Sequence, residues 1–99
     1  MAEPNVTEGL PAEAIPVADV TKVFPGRKVA GVCIRPGEEL QIGDKIFFIR
    51  KDTGDWDSIV ADSIELNHKK VKVANAGEVV GVYIGASVER KSTIYRMSR

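Results

Sequence analysis

The chain has 99 residues, which is enough for one domain with one hydrophobic core and too few for two. Its 14 basic and 14 acidic side chains cancel, so no overall charge draws it to nucleic acid or to a membrane. The charge is uneven, however, because residues 1–62 hold 7 basic and 11 acidic side chains and residues 63–99 hold 7 and 3. We therefore expect one face of the domain to be mildly basic.

The single cysteine, Cys33, rules out a disulfide within the chain, which suits a reducing compartment. It lies among apolar residues, and this favours a small buried side chain over a reactive thiol. No apolar run is long enough to cross a bilayer, and the first residues lack the basic and then apolar layout of a signal peptide. The sequence thus predicts a cytoplasmic protein that does not bind a membrane.

Residues 1–14 are rich in proline, glutamate and alanine without an apolar period, which predicts a flexible N-terminal tail. From Ile15 onward, short apolar runs alternate with turns that contain glycine or proline, and these predict a single β domain over residues 15–99. A basic and irregular strand is expected ahead of the turn at residues 76–78. The other predicted strands are Pro16–Val23, Val29–Ile34, Lys45–Lys51, Ile59–Leu66, Val79–Ile84 and Ile94–Met97.

Six or seven short strands with no sustained helical period predict an all-β domain, either a barrel or a sandwich. Turns are expected at residues 25–26 and 76–78, with the glycine of each at positive φ. Two glycines inside strands, Gly31 and Gly81, predict bends or close approaches of the backbone. The residues expected to be buried are Val32, Ile34, Ile46, Phe48, Val60, Ile64, Val80, Val82 and Ile84.

Two blocks of sequence resemble the second domain of translational GTPases such as elongation factor Tu. The first joins Val29–Val32 to Pro36–Ile46, PGEELQIGDKI, and is similar to the family's apolar strand followed by Gly-x-Leu-x-Val-Gly-Asp-x-Val. The second, Ala76–Val82, is similar to Ala-Gly-Asp-x-Val-Gly-Val. The likeness covers about residues 17 to 97. It implies a small closed Greek-key β-barrel of six or seven strands, of the type found as domain 2 of translation factors.

The phosphate loop Gly-x-x-x-x-Gly-Lys-Ser/Thr does not occur, so neither a nucleotide nor another cofactor is expected. Without it, the barrel resembles small stand-alone proteins similar to translation elongation factors, and also the barrels appended to some collagenase-like peptidases. The first likeness implies a non-enzymatic binding module that docks to RNA or a ribonucleoprotein. The alternative is a protein–protein adaptor domain unrelated to translation, like the appended barrels. No oligomeric state follows from the sequence.

In the full elongation factor, one end of this barrel helps to hold the aminoacyl end of tRNA. The resemblance places the matching positions at Glu65, His68, Val79 and Tyr83. The acid is kept, but His68 replaces an arginine and Val79 replaces an asparagine, which removes a permanent cation and an amide. Aminoacyl-tRNA binding is therefore not expected.

The densest basic segment, HKKVK, begins at His68 and is followed later by Arg90, Lys91 and Arg96. It fits either a site for RNA phosphates or a solvated strand edge whose lysines prevent pairing with other strands. If the segment is extended, Lys70, Lys72 and His68 share the outer face, while Val71 and Val73 point inward.

Trp56 is the best candidate for contact with a protein partner, because tryptophan is enriched among interface hot spots. An equal alternative is that it covers one end of the core. His68 is the only histidine and has no cysteine cluster near it, so no metal site is expected.

Asp52-Thr53-Gly54 matches the tripeptide of aspartic proteases, which complete a pair of carboxylates by dimerising. That chemistry needs an aspartate held among apolar strands, so that two acids can share a proton. Here Lys51 precedes the acid and two more aspartates follow it, which predicts a charged turn with Asp52 ionised. A protease site is therefore rejected, and the domain is expected not to be an enzyme.

Overall fold

The computed structural model describes residues 10–99, apart from the side chain of residue 25. Within this range there is no α-helix, and one short 3₁₀ turn spans Pro25–Arg27. The all-β prediction is confirmed. The strands are β1 (Ala14–Phe24), β2 (Val29–Ile34), β3 (Glu39–Gln41), β4 (Lys45–Ile49), β5 (Trp56–Val60), β6 (Ile64–Leu66), β7 (Lys69–Lys70), β8 (Val73–Asn75), β9 (Val79–Tyr83) and β10 (Thr93–Met97).

Eight of the strands form one antiparallel sheet in the order β5-β4-β10-β1-β2-β9-β6-β7, and β3 pairs with β8 in a second sheet of two strands. The sheet does not close into a barrel within residues 10–99, so the predicted closed barrel of six or seven strands is wrong. The physical reason lies in the predicted strand Ile59–Leu66, which is interrupted at residues 61–63. Its first part pairs with β4 and its second part pairs with β9.

Isolated hydrogen bonds bridge the gap where a closing strand pair would lie. The Gly43 N–H donates to the Ala61 carbonyl at 2.8 Å, and the Ala61 N–H donates to the Asp44 carbonyl at 2.8 Å. Further along, the Ile42 N–H donates to the Lys72 carbonyl at 2.9 Å. The curved sheet is thus held around its core without a continuous ladder at this seam.

The core follows the two-residue alternation of the strands. Of the residues predicted to be buried, all are buried except Val60, which is 53% exposed. Val60, on the edge strand β5, lies opposite the exposed Lys45 of β4, and the two side chains share the outer face. The largest fully buried side chains are Phe48, Ile34, Leu40, Ile46, Ile64, Ile84, Ile94, Val17, Val20, Val32, Val80 and Val82.

Of the two turns predicted to have a glycine at positive φ, one is confirmed and the other is wrong. Gly77 has φ +83°, as expected for the turn between β8 and β9. At the end of β1 the chain instead enters the 3₁₀ turn, and the residue at positive φ is Lys28 rather than Gly26.

The predicted tail, residues 1–14, falls mainly on residues 1–9, which lie outside the described residues. Residues 12–13 form a turn, and β1 already begins at Ala14. The flexible tail and the single domain over residues 15–99 stay predictions. No helix within residues 10–99 has the length and apolar character needed to cross a membrane.

Two arginines join the C-terminal part of the chain to β3 and to the turn that follows it. Arg96, only 8% exposed, donates to the Glu39 carbonyl at 3.1 Å and to the Glu38 carboxylate at 3.3 Å. Arg99 donates to the Asp44 carboxylate at 3.0 and 2.8 Å. Arg96 is therefore occupied in the interior and cannot contribute to a basic surface.

Candidate functional site

Gly31 of β2 lies directly opposite Gly81 of β9 in the sheet. Both residues belong to the outer face, because their neighbours Ala30, Val32, Val80 and Val82 point into the core. Two adjacent strands thus lack side chains at the same level, and the backbone itself forms the floor of a depression.

A bulge in β1 brings its backbone close to this floor. The register of β1 against β2 shifts between Val20 and Lys22, and Lys22 then lies opposite Gly31. A Cβ atom at Gly31 would lie 3.2 Å from the Lys22 Cβ, closer than ordinary contact. At Gly81 a Cβ would meet only the Val29 Cγ1, at an ordinary 3.5 Å. The predicted close approach therefore holds at Gly31, whereas a Cβ at Gly81 would make only an ordinary contact.

Side chains of four strands surround the floor and make a trough of about 480 Å³ across the outer face of β1, β2, β9 and β6. Phe24, Val29 and Tyr83 lie along one long side, and Val79 lies on the other. Val79 is 56% exposed and Tyr83 is 41% exposed, so the trough offers apolar surface that the core does not use.

Opposite charges stand at the two ends of the trough. Lys22 lies opposite Gly31 on β1, and Glu65 lies opposite Gly81 on β6. The Lys22 Nζ lies 5.1 Å from the centroid of the Phe24 ring, and Arg27, in the turn that follows Phe24, also lines the trough. Within residues 10–99, the salt bridges involve other arginines and none involves Lys22, Arg27 or Glu65. No salt bridge therefore engages these charges, although Lys70 lies directly opposite Glu65 on β7.

The structure brings together the four positions that the elongation-factor resemblance indicated. Glu65, His68, Val79 and Tyr83 all line the trough. His68 reaches it from a tight turn between β6 and β7, in which Asn67 and His68 have φ of 52° and 66°, as in a type I′ hairpin. The only signal in the sequence for the turn between β6 and β7 was Asn67. Sequence analysis did not identify Lys22, Phe24 and Arg27 as residues of the site.

The basic side chains do not form the predicted row. His68 lies in a turn and does not continue a strand with Lys70 and Lys72. The prediction that His68 shares an outer face with these two lysines is therefore wrong. Lys70 is exposed on β7, but the strand ends there and Lys72 lies in a bend. Val71 packs partly against the core as expected, whereas Val73 is 36% exposed.

Arg90 and Lys91 lie apart from these lysines. Together with Asp19, Val20 and Thr21 they line a shallow cleft beside β1. Three strands, β2, β9 and β6, separate β1 from β7 in the sheet order. The compact positive patch that would have joined the two groups is therefore absent from the described residues.

Trp56 begins β5 and is half-buried. Its ring packs edge-to-face on Tyr95, with 5.6 Å between centroids and 75° between planes. Asp52 lies in an exposed turn, and Arg50 donates to both of its carboxylate oxygens at 3.0 Å. These hydrogen bonds hold the pKa of Asp52 below its usual value, so the acid is ionised, as the charged turn led us to expect.

Two side chains that line the trough, those of Ser63 and His68, are of types that take part in catalysis. No hydrogen bond joins these two side chains within residues 10–99. No group of three or more His, Cys, Asp or Glu side chains in the described part of the chain could hold a metal ion.

No protein-family model matches the chain. A curated relative, an uncharacterized protease of Methanocaldococcus jannaschii, is 38% identical over 69 residues, which are 70% of this chain but 17% of that protein. Two crystal structures of the C-terminal domain of a Geobacillus thermoleovorans protein, described as a U32 peptidase, each superpose with a TM-score of 0.71. They are 14% and 15% identical and cover 83% and 81% of this chain, and the chain covers 91% and 96% of them.

These comparisons overturn the resemblance to translation factors. The similar proteins are an uncharacterized protease and the C-terminal domain of a U32 peptidase, and neither is a translation factor domain. The RNA-binding interpretation drawn from that resemblance is therefore wrong. The alternative, a domain unrelated to translation like those appended to collagenase-like peptidases, is the one that the comparisons support. At 14% and 15% identity, the likeness to the solved structures establishes the fold.

Proposed function

We propose that this domain is a non-catalytic docking module, which binds a segment of a partner protein in the trough across β1, β2, β9 and β6. The observation that carries the proposal is the alignment of Gly31 with Gly81, which leaves the floor of the trough without side chains. Exposed apolar side chains flank this floor, and such surface on a small domain is a sign of an interaction site.

The similarity to C-terminal domains of U32 peptidases suggests the setting in which such docking would serve. An appended domain can hold a substrate, or a part of the peptidase itself, near a catalytic centre that lies elsewhere in the protein. Holding two groups together raises their effective concentration without any chemistry from the domain. Binding through the trough would therefore be enough for the domain to assist a catalytic centre that lies elsewhere in the protein.

The trough is a better docking surface than the region around Trp56. Trp56 already packs against Tyr95, so its ring offers less free area to a partner. Val79 and Tyr83, by contrast, are exposed on either side of an open floor. Trp56 would contribute as an anchor only if a partner covered β4, β5 and β10 instead.

The test is a selection of random peptides displayed on phage, with counter-selection on the Gly81→Val variant. Valine suits a strand, its Cβ at this position makes only an ordinary contact, and its methyl groups fill the floor, so we expect the variant to fold and to lose the site. We expect enriched peptides to bind wild type with Kd between about 10 μM and 1 mM, and to shift the amide resonances of Gly31, Gly81 and Tyr83. No enrichment, or shifts confined to Trp56 and its neighbours, would refute the proposal.

A further inference from the structure

The dimensions and charges of the trough define the segment that it accepts. Lys22, Gly31, Gly81 and Glu65 occupy one level of four adjacent strands. Neighbouring strands lie about 4.8 Å apart, so the three intervals place the α-carbons of Lys22 and Glu65 about 14 Å apart. A cation therefore stands at one end, an anion at the other with Lys70 beyond it on β7, and bare backbone lies between them.

An extended peptide fits this spacing. Each residue of a strand advances about 3.3 Å, so residues i and i+4 lie about 13 Å apart, and residues i, i+2 and i+4 point to the same side. The side chain at i+2 would lie above the two glycines, between Val79 and Tyr83. The side chains at i and i+4 would lie above the charged ends.

We propose that the trough binds an extended peptide segment with an acidic and a basic side chain four positions apart and an apolar side chain midway between them. The acid pairs with Lys22 and Arg27, the base pairs with Glu65, and the apolar side chain fills the floor over Gly31 and Gly81. This inference rests on the proposed docking function and adds the chemistry of the ligand.

Charge complementarity also separates this ligand from a polyanion. A nucleic acid strand would place a phosphate inside the trough next to Glu65, where like charges repel, even though Lys70 lies beyond Glu65 on β7. A purely apolar segment would leave Lys22, Arg27 and Glu65 covered without partners, which costs free energy. Only a segment that carries both charges at the right distance satisfies both ends at once.

The experiment uses three fluorescein-labelled, capped peptides: Gly-Asp-Ala-Leu-Ala-Lys-Gly, Gly-Asp-Ala-Leu-Ala-Asp-Gly, and a version of the first with two more alanines before the lysine. Wild type should bind the first peptide about fivefold more tightly than the other two, in keeping with the modest strength of exposed ion pairs. The preference should shrink in 1 M NaCl, where the screening length is only about 3 Å.

The decisive variant is Glu65→Lys, with Glu89→Lys as its matched control. Glu89 is an exposed acid outside the trough, so both variants change the net charge equally. Glu65→Lys should reverse the preference between the first two peptides, whereas Glu89→Lys should keep the wild-type order. A merely structural role of Glu65 would weaken both peptides by the same factor.

The outcomes separate this inference from the proposed function. If selected peptides bind in the trough but wild type binds the three designed peptides equally, the charge spacing is refuted and the docking function stands. If the order of the first two peptides fails to reverse in Glu65→Lys, the pairing with Glu65 is refuted. If no peptide binds and the phage selection also fails, the docking function itself is refuted.

Discussion

Arg99 and Asp44, 55 positions apart in the chain, share two hydrogen bonds between guanidinium and carboxylate. The Gln41 N–H donates to the same carboxylate at 2.8 Å. Burial raises the pKa of Asp44, but the Arg99 and Gln41 hydrogen bonds and the positive charges of Arg99 and Arg96 outweigh it and lower the pKa below its usual value. The carboxylate is therefore more favoured in the folded state than in the unfolded chain.

The pH dependence of stability follows from this shift. A lowered carboxyl pKa stabilises the fold at pH values above the unfolded pKa, near 4, and this stabilisation is lost as the pH falls through the folded pKa. Asp44→Asn should cost roughly 1.5–3 kcal/mol at pH 7, and the cost should shrink progressively below pH 4. Urea unfolding between pH 2 and 7 measures the difference, with the exposed Asp62→Asn as the control. A constant difference across that range would contradict the role of Asp44.

The two trough glycines should respond oppositely to alanine. Gly31→Ala brings a methyl group to 3.2 Å from the Lys22 Cβ, and we expect a loss of roughly 1–3 kcal/mol. Gly81→Ala meets ordinary contacts and restricts the unfolded chain, so it should be neutral or stabilise by roughly 0.4–1 kcal/mol. Thermal unfolding of the two variants side by side decides this. Equal losses at both positions would show that the space above Gly81 is not free.

Arg96 should matter far more than an exposed arginine. Arg96→Met would remove the donor from the Glu38 carboxylate and the Glu39 carbonyl, and we expect a cost of roughly 2–4 kcal/mol. Arg90→Met, at an exposed position, should stay within about 0.5 kcal/mol of wild type. Chemical denaturation provides both values. Similar values for the two variants would mean that Arg96 does not hold β10 to β3.

Two exposed valines provide a matched test of the trough in binding. Val79 on β9 is 56% exposed beside the trough, and Val60 on β5 is 53% exposed away from it. Val79→Ser should weaken the binding of a selected peptide about threefold to tenfold, because its apolar contact is lost. Val60→Ser should leave the affinity unchanged, as measured by fluorescence anisotropy. The reverse pattern would move the docking surface to the edge of the sheet.

The strands with clear apolar patterns were predictable from the sequence. Val29–Ile34 coincides with β2, and Val79–Ile84 exceeds β9 by one residue. The interruption at residues 61–63 had one signal in the sequence, because Asp62 falls in the phase of Val60, Ile64 and Leu66 and breaks their apolar pattern. What separates β5 from β6 is the choice of partner strand, and that choice depends on residues far away in the chain.

Part of the candidate site could be predicted from the sequence. Gly31 and Gly81 could be marked as unusual, but only the register of β2 against β9 places them side by side. Glu65, His68, Val79 and Tyr83 were found through a resemblance that is wrong as to family. Lys22 was missed because a bulge in β1 brings it opposite Gly31, and the weak alternation of that strand conceals the bulge.

The position of β1 between β2 and β10 has a consequence for how the protein folds during synthesis. Asp19 lies opposite both Cys33 and Thr93, and Thr93 is made 74 residues later. One side of β1 therefore stays unpaired until nearly all of the described chain has left the ribosome. The hairpin of β4 and β5 can form earlier, but it joins the sheet only through β10. Completion of the sheet must therefore wait for a pairing of long sequence separation, as is typical of β proteins that fold in milliseconds to seconds.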